Sequence, residues 1–195
     1  MIAVAEKEKI YTVEEYFELE QNSDIRHEFY YGKLTPMPGE SRIANRIASN
    51  CEFLFQVALQ GKNYDFVRHD VRLPIKKGKV YRYPDLTLTP ISDDKNSHAV
   101  LEAELIVEVS SVNSAKTDRE IKLREYTALP SLQYYIIVSQ EEMLVEMYSR
   151  AGQKWAYEYF TEPSEMIDLP YFKTKMKLSD VYQNVNFEVD VRSDI

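Results

Sequence analysis

Leu105-Ile106-Val107-Glu108-Val109-Ser110 is the stretch of sequence that decides the fold. Its apolar and β-branched residues are typical of an interior strand that is covered on both faces. Glu108 interrupts this apolar run, and a buried carboxylate is costly unless a cation or hydrogen-bond donors meet it. The stretch therefore predicts a central strand that carries a polar site.

The segments around this strand predict the rest of the architecture. Upstream, residues 80–89 have the composition of a second strand, with Asp85 near its middle. Downstream, residues 115–129 predict a long helix that carries Lys122, and residues 133–139 predict another buried strand. Because one helix crosses between two apolar strands, we expect an α/β domain with a mixed central sheet, flanked by helices and followed by a C-terminal β hairpin.

Length and composition indicate an ordinary globular chain. The 195 residues are most simply one domain, 1–195, with residues 1–9 and 186–195 expected to be peripheral or frayed. Cys51 is the one cysteine, which excludes a disulfide framework and favours a reducing compartment. No signal-peptide pattern and no apolar run of about 20 residues is present. We expect a soluble cytoplasmic protein with no membrane partner.

The charge distribution bears on nucleic-acid binding. A net charge of −8 opposes contact with phosphates, but residues 62–82 contain seven lysines and arginines against two aspartates, a local charge of +5. This segment leads directly to Asp85. We predict that four of its residues, Lys76, Lys77, Lys79 and Arg82, guide a nucleic-acid backbone. The alternative is a solvated hairpin with no ligand.

Asp85 and Glu108 are candidates for a metal site. If their two strands are neighbours, both carboxylates approach one point at the same end of the sheet, where they repel each other unless a divalent cation lies between them. Oxygen ligands with few histidines favour Mg²⁺ or Mn²⁺ over zinc. In the alternative, Asp85 is a strand-start residue after proline and Glu108 is half of a structural salt bridge.

Lys122 and Glu28 are the remaining charged candidates. On a helix, Lys122 projects within an apolar stripe, from which it could reach the carboxylates of the preceding strand. The alternative is a helical i,i+4 ion pair with Asp118. Glu28 lies in a short aromatic strand, where it is either a further member of the carboxylate cluster or an edge-strand charge.

With these residues in view, the chain resembles the Uma family of restriction-endonuclease-like proteins, whose fold is that of the PD-(D/E)XK nucleases. The likeness extends over nearly the whole length. The stretches that carry it are Tyr11-Thr12-Val13-Glu14-Glu15-Tyr16-Phe17, Glu28-Phe29-Tyr30-Tyr31-Gly32-Lys33-Leu34, Tyr83-Pro84-Asp85, Leu105-Ile106-Val107-Glu108-Val109-Ser110-Ser111, Asp118-Arg119 with Lys122 and Tyr126, and Pro130-Ser131-Leu132-Gln133-Tyr134-Tyr135.

This resemblance implies a Mg²⁺-dependent phosphodiesterase site at Asp85, Glu108 and Lys122, with Glu28 as an added carboxylate. One departure concerns the lysine, which in the parent superfamily stands two residues after the glutamate, where this chain has Ser110. The resemblance suggests that the lysine has moved to the following helix, as Lys122. A fold by itself does not establish an activity.

The sequence thus favours metal-assisted hydrolysis of a nucleic-acid phosphodiester bond, with DNA as the expected substrate. Asp85, Glu108 and the backbone carbonyl of Val109 are expected to hold Mg²⁺ or Mn²⁺, and Lys122 to orient the attacking water or to stabilise charge in the transition state.

Two alternatives remain at this point. In the first, a degenerate nuclease fold acts as a DNA- or protein-binding module. In the second, a pair of acids hydrolyses sugars without metal or lysine. Because duplex cleavage needs two centres, we also expect a homodimer that associates through the tyrosine- and phenylalanine-rich strands of residues 144–172.

Overall fold

The structure, a computed structural model, describes residues 9–37, 39–92 and 98–187. The frayed ends expected from the sequence lie outside these ranges, apart from Lys9, Asn186 and Phe187. The helices are α1 (Val13–Asn22), α2 (Arg42–Ala58), α3 (Leu123–Thr127) and α4 (Leu178–Val181), with a π-helical segment at Thr117–Lys122 directly before α3. The strands are β1 (His27–Tyr30), β2 (Lys33–Pro36), β3 (Tyr64–Arg68), β4 (Leu73–Lys76), β5 (Val80–Arg82), β6 (Leu86–Pro90), β7 (Leu105–Ser110), β8 (Tyr134–Ser139), β9 (Val145–Ala151), β10 (Lys154–Phe160), β11 (Met166–Leu169) and β12 (Thr174–Lys177).

The main sheet is built around β7. Its six strands run in the order β10-β9-β8-β7-β6-β3, with β7 and β8 parallel and the other neighbours antiparallel. All six residues of β7 are buried, which confirms the interior strand expected from its composition. The mixed sheet with flanking helices and the C-terminal hairpin of β9 and β10 are likewise as predicted.

Helical segments cover the two faces of this sheet. One face packs against α2, which begins after the capping residue Ser41 and buries Ile47, Cys51 and Phe55 in the larger core. The other face packs against the π-helical segment and α3, around the buried rings of Tyr126 and Tyr135. The π-helical segment places Lys122 beside the face of β7 from which Glu108 projects.

A smaller antiparallel sheet, in the order β2-β1-β5-β4, lies beside the main one. Helix α1 packs on it through a cluster of stacked and tilted rings formed by Tyr16, Phe29 and Tyr81. Helix α1 begins with a capping box, because the side chain of Thr12 accepts from the backbone N–H of Glu15 while the Glu15 carboxylate accepts from the N–H of Thr12.

Two stretches of the chain are each divided between the two sheets. Residues 80–89, expected to form one strand, form β5 in the smaller sheet and β6 in the main sheet, with Pro84 between them. Residues 64–75 similarly divide into β3 and β4. Pro84 has no N–H for a ladder, which favours a break at this point. The break matters for function because it leaves Asp85 at the junction of the sheets instead of inside a strand.

No helix among the described residues combines the length and the apolar character that crossing a membrane requires.

Candidate active site

A cavity of about 280 Å³ lies where the ends of β6 and β7 meet the smaller sheet. It is lined by the four charged residues that the sequence singled out and by further acidic groups: Glu28, Glu40, Asp85, Glu108, Asp118 and Lys122. Strand β1, strand β7 and the π-helical segment each contribute residues to the lining of this cavity. The structure therefore brings Asp85, Glu108, Lys122 and Glu28 together.

Asp85 is held by the backbone of the neighbouring strand. Leu86 pairs with Val107 between β6 and β7, so that Asp85 comes opposite the next part of β7. The backbone N–H of Val109 donates to Oδ2 of Asp85 at 2.6 Å. Burial raises the pKa of Asp85 to about 7, against the opposing effects of Lys122 and of this hydrogen bond. Asp85 is thus a fixed carboxylate that binds a proton readily in the absence of further positive charge.

Glu108 is buried and has two donors on one oxygen. The hydroxyl group of Tyr126 donates to Oε1 at 2.7 Å, and Nζ of Lys122 lies 3.0 Å from the same atom. Burial, followed by the negative charges of Asp85 and Asp118, raises the pKa of Glu108 to about 8, while Lys122 and the tyrosine oppose the shift. The charge of Asp85 therefore disfavours ionisation of Glu108, as expected of a neighbouring acid.

Lys122 is the cation that the carboxylates share. Its Nζ lies 3.0 Å from Glu108, 3.4 Å from Asp118 and 3.7 Å from Glu28, and its side chain is only 11% exposed. Burial alone would lower the pKa of Lys122, but the surrounding negative charges raise it above its ordinary value. The side chain therefore stays charged, held by three acids at once.

Lys122 ends a π-helical segment that also carries Asp118. The backbone N–H of Leu123 donates to the carbonyl of Asp118, five residues earlier, so that the helix is locally wider than an α-helix. π-Turns of this kind are frequent at functional sites. The i,i+4 ion pair with Asp118, considered as an alternative role for Lys122, is present in addition to the contact with Glu108.

Glu28 and Arg82 form a second ion-pair group next to the first. Nη1 of Arg82 lies 2.6 Å from Glu28, and its Nε and Nη2 bind both oxygens of Glu125. Arg82 is 6% exposed. The prediction that it guides a nucleic-acid backbone is therefore corrected: β5 carries the guanidinium into the interior, where carboxylates occupy its donors. Glu28 bridges Arg82 and Lys122.

Lys76, Lys77 and Lys79 have a different environment. They are exposed at the end of β4 and in the turn that follows it, and none of them lines the cavity. The structure therefore separates the predicted basic segment into a buried arginine, which belongs to the site, and three surface lysines at the end of the smaller sheet.

Sequence reasoning missed three contributors to the site. Glu40 stands just before α2, and its charge and hydrogen bonding raise the pKa of Asp85. Asp118 was named in the resemblance and as an alternative partner of Lys122 but not as a site residue, yet it is buried and faces the cavity. Tyr126 was named only in the resemblance, although it donates to Glu108. The spacing of Asp118, Lys122 and Tyr126, four residues apart each time, was the available signal.

The donor set suits a hard divalent cation. Among the described residues, no group of three or more histidine, cysteine, aspartate or glutamate side chains is arranged closely enough to hold a metal ion. Burial nevertheless raises the pKa of both Asp85 and Glu108, and the negative charge of Asp85 raises that of Glu108 further; carboxylate oxygens of this kind are what Mg²⁺ and Mn²⁺ prefer. The chemistry of these residues therefore fits such an ion at Asp85 and Glu108.

Comparisons with known proteins identify the family and the fold of the chain. A family model described as "Uma2: Putative restriction endonuclease" matches residues 13–179. Two Synechocystis sp. proteins are similar: "Uncharacterized protein sll1609" is 30% identical over 85% of this chain and 96% of its own length, and "Uncharacterized protein slr1290" is 29% identical over 89% and 92%. The fold is similar to the crystal structure of "a putative nuclease belonging to DUF820 from Anabaena variabilis ATCC 29413", with a TM-score of 0.71 and 17% identity, covering 88% of this chain and 97% of that one. The chain therefore belongs to the Uma2 family of restriction-endonuclease-like proteins.

Proposed function

We propose that the protein is a metal-dependent nuclease that hydrolyses phosphodiester bonds of DNA, with its active site at Asp85, Glu108 and Lys122. The observation that carries this proposal is the buried Lys122, which lies between Glu108, Asp118 and Glu28 at the wall of a cavity that also contains Asp85. Buried charges are expensive, and a lysine held by several acids in an open cavity is typical of a catalytic site.

Asp85, Glu108 and the backbone carbonyl of Val109 would hold Mg²⁺ or Mn²⁺. When bound, the ion polarises the phosphate and lowers the pKa of the attacking water. The Val109 N–H keeps Asp85 in position, and the hydroxyl group of Tyr126 orients Glu108.

Lys122 would stabilise negative charge that develops on the phosphate in the transition state, or orient the attacking water. Its constant positive charge suits both roles. Glu28 contributes through Lys122: fixed by Arg82 on one side, it restrains the ammonium group on the other. We therefore propose Glu28 as a positioning residue of the site.

The alternative of a degenerate binding module predicts a different use of these residues. A module that binds DNA or protein through its surface has no need of buried acids around a buried lysine, and each such charge costs stability. The sugar-hydrolase alternative also fits poorly, since it requires a pair of acids without a neighbouring lysine.

A plasmid-nicking assay tests the proposal. The wild-type protein should nick supercoiled DNA in Mg²⁺ or Mn²⁺ and not in EDTA, and Lys122→Met should abolish nicking while Mn²⁺ still raises its melting temperature. Lys116→Ala, at an exposed position of the same helical stretch, is the matched control and should nick normally. Wild-type protein that melts identically with and without Mn²⁺ and nicks nothing would contradict the proposal.

Lys76, Lys77 and Lys79 would supply the contacts with the DNA backbone. They lie in one turn and are exposed, so that one strand of phosphates can reach all three. Changing the three lysines to glutamate should remove most DNA binding and flatten its dependence on salt concentration, because fewer counterions are then released. Unchanged affinity of the folded triple variant would locate the DNA surface elsewhere.

We also propose that the protein is a homodimer joined through β10, which forms one edge of the main sheet. On its inner side, β10 pairs with β9 along all seven of its residues without a bulge, so that the strand is regular. Antiparallel pairing of two copies about Ala156 would put Lys154 opposite Glu158 twice and Trp155 opposite Tyr157 twice, a self-complementary arrangement. Light scattering at tens of micromolar should give the dimer mass, and Ala156→Pro should give the monomer. A wild-type monomer under these conditions would refute this assembly.

A further inference from the structure

Two neighbouring tyrosines stand on the surface beside the lysines of the smaller sheet. Tyr30 and Tyr31 are 43% and 50% exposed, and their ring centroids lie 5.0 Å apart in an edge-to-face arrangement. Nζ of Lys76 lies 3.2 Å from the hydroxyl group of Tyr31, and the ammonium groups of Lys76 and Lys79 lie 5.6 and 6.0 Å from its ring centroid. Exposed aromatic faces and positive charge thus coincide at one end of this sheet.

The backbone conformation of Tyr31 is unfavourable for a bulky residue. Tyr31 and Gly32 have φ angles of 47° and 89°, the two positive values of a type I′ turn, where asparagine and glycine are favoured. A bulky residue in this region is strained. The strain is offset by a 2.7 Å hydrogen bond from the backbone N–H of Tyr31 to the carbonyl of Lys79. Because the ring is half exposed, packing in the core does not explain why a tyrosine occupies this position.

The position of Tyr30 connects this surface to the active site. Tyr30 and Glu28 project from the same face of β1, while Phe29 between them enters the aromatic cluster under α1. The Arg82 guanidinium lies 5.5 Å from the ring centroid of Tyr30 and also binds Glu28, which in turn contacts Lys122. A chain of direct contacts therefore leads from the exposed ring to the proposed catalytic lysine.

We propose that Tyr30 and Tyr31 are a stacking site for unpaired bases, and that the substrate is DNA with a single-stranded segment next to the scissile bond. This inference rests on the proposed nuclease function and specifies its substrate. Aromatic rings stack on bases of any sequence, but only when pairing does not hold the bases inside a duplex. Lys76 and Lys79 would hold the adjoining phosphates, which is the usual combination in proteins that bind single strands.

Fluorescence anisotropy in EDTA tests the inference, with fluorescein-labelled oligo(dT) of twenty nucleotides and a twenty-base-pair duplex as probes. The wild type should bind oligo(dT) more tightly than the duplex. Tyr31→Asn should weaken oligo(dT) binding by about 5- to 150-fold, the range typical for removal of one aromatic side chain that stacks on a base, with duplex binding nearly unchanged. Its salt dependence should stay as in the wild type, since no charge is removed.

Two controls separate stacking from folding. Asparagine tolerates positive φ, so that Tyr31→Asn should melt at the wild-type temperature or above it while binding less. Phe53→Ala removes another exposed ring, 62% exposed on α2, and should leave oligo(dT) binding unchanged. Tyr31→Phe keeps the ring and should also keep the affinity.

Equal affinity of wild type and Tyr31→Asn for oligo(dT), or a preference of the wild type for the duplex, would overturn the inference. If Mn²⁺-dependent nicking persists in that case, only the stacking site is refuted and the proposed nuclease remains. If oligo(dT) binding depends on Tyr31 but no cleavage occurs with any metal, the single-strand site is supported and the nuclease function is refuted.

Discussion

Replacing Glu108 by glutamine separates a metal-binding carboxylate from a structural salt-bridge partner, because the two roles predict changes of opposite sign. In the folded protein the pKa of Glu108 is about 8, against an ordinary value of 4.5. At pH 7 the folded protein must keep a proton that the unfolded chain would release, and this costs about 3 kcal/mol. Glutamine has the shape of the protonated acid and carries no such cost.

The contacts of Glu108 indicate that glutamine can replace it without losing hydrogen bonds, so that removal of the protonation cost stabilises the protein. Tyr126 and Lys122 both donate to Oε1, and an amide oxygen at this position can accept from both. Lys122 also keeps Asp118 and Glu28 as partners. We therefore expect Glu108→Gln to stabilise the metal-free protein by about 1–3 kcal/mol at pH 7. A structural salt bridge would instead lose about 3–5 kcal/mol when one partner is removed.

Thermal melting in EDTA and in Mn²⁺ measures both effects. A change of 1 kcal/mol shifts the melting temperature of a chain of this length by about 2–4 °C. Mn²⁺ at a hundred times its dissociation constant should stabilise the wild type by about 2.7 kcal/mol, and should stabilise Glu108→Gln far less. Glu141→Gln, at an exposed position, is the control and should resemble the wild type in both buffers.

The pH dependence gives an independent measurement of the same cost. Between about pH 4.5 and about 8 the folded protein holds the Glu108 proton that the unfolded chain releases, so that stability in EDTA should fall as the pH rises through this interval. The fall should be shallower in Glu108→Gln. It should not vanish, because the pKa of Asp85 is also raised, from 3.8 to about 7.

A strongly destabilised Glu108→Gln, together with a wild type that Mn²⁺ does not stabilise, would refute this reasoning. Glu108 would then be a structural partner of Lys122, and the fall of stability with pH would be no shallower in Glu108→Gln than in the wild type.

Three further substitutions test neighbouring parts of the structure. Lys122→Met should destabilise the metal-free protein by about 3–5 kcal/mol in thermal melts, since it leaves buried acids without their shared cation. Tyr126→Phe removes a donor from buried Glu108 and should cost about 1–3 kcal/mol and weaken Mn²⁺ binding about 10- to 100-fold in a titration. Gly32→Ala places a Cβ 2.6 Å from a neighbouring side chain and should lower the melting temperature more than Gly152→Ala, which meets nothing within 4 Å; equal shifts would refute the packing argument.

The local sequence determined the central parts of the fold. The apolar run around Glu108 predicts an interior strand because six consecutive strand-forming residues are compatible with burial on both faces. The capping residues Thr12 and Ser41 predict where two helices begin, because a side-chain oxygen there satisfies a backbone N–H within three residues. Such signals depend on contacts between near neighbours in the chain and can be read without the tertiary structure.

Only the tertiary structure decided how the charges pair. Arg82 appeared to continue a basic surface, but strand β5 buries its side chain against Glu28 and Glu125, which lie far away in the sequence. Glu40 joins Asp85 because the segment just before α2 reaches the start of β6, and no local pattern specifies that approach. A charge on the surface and a charge in a buried network have the same local sequence. Their difference arises from burial and long-range contacts, which exist only in the assembled fold.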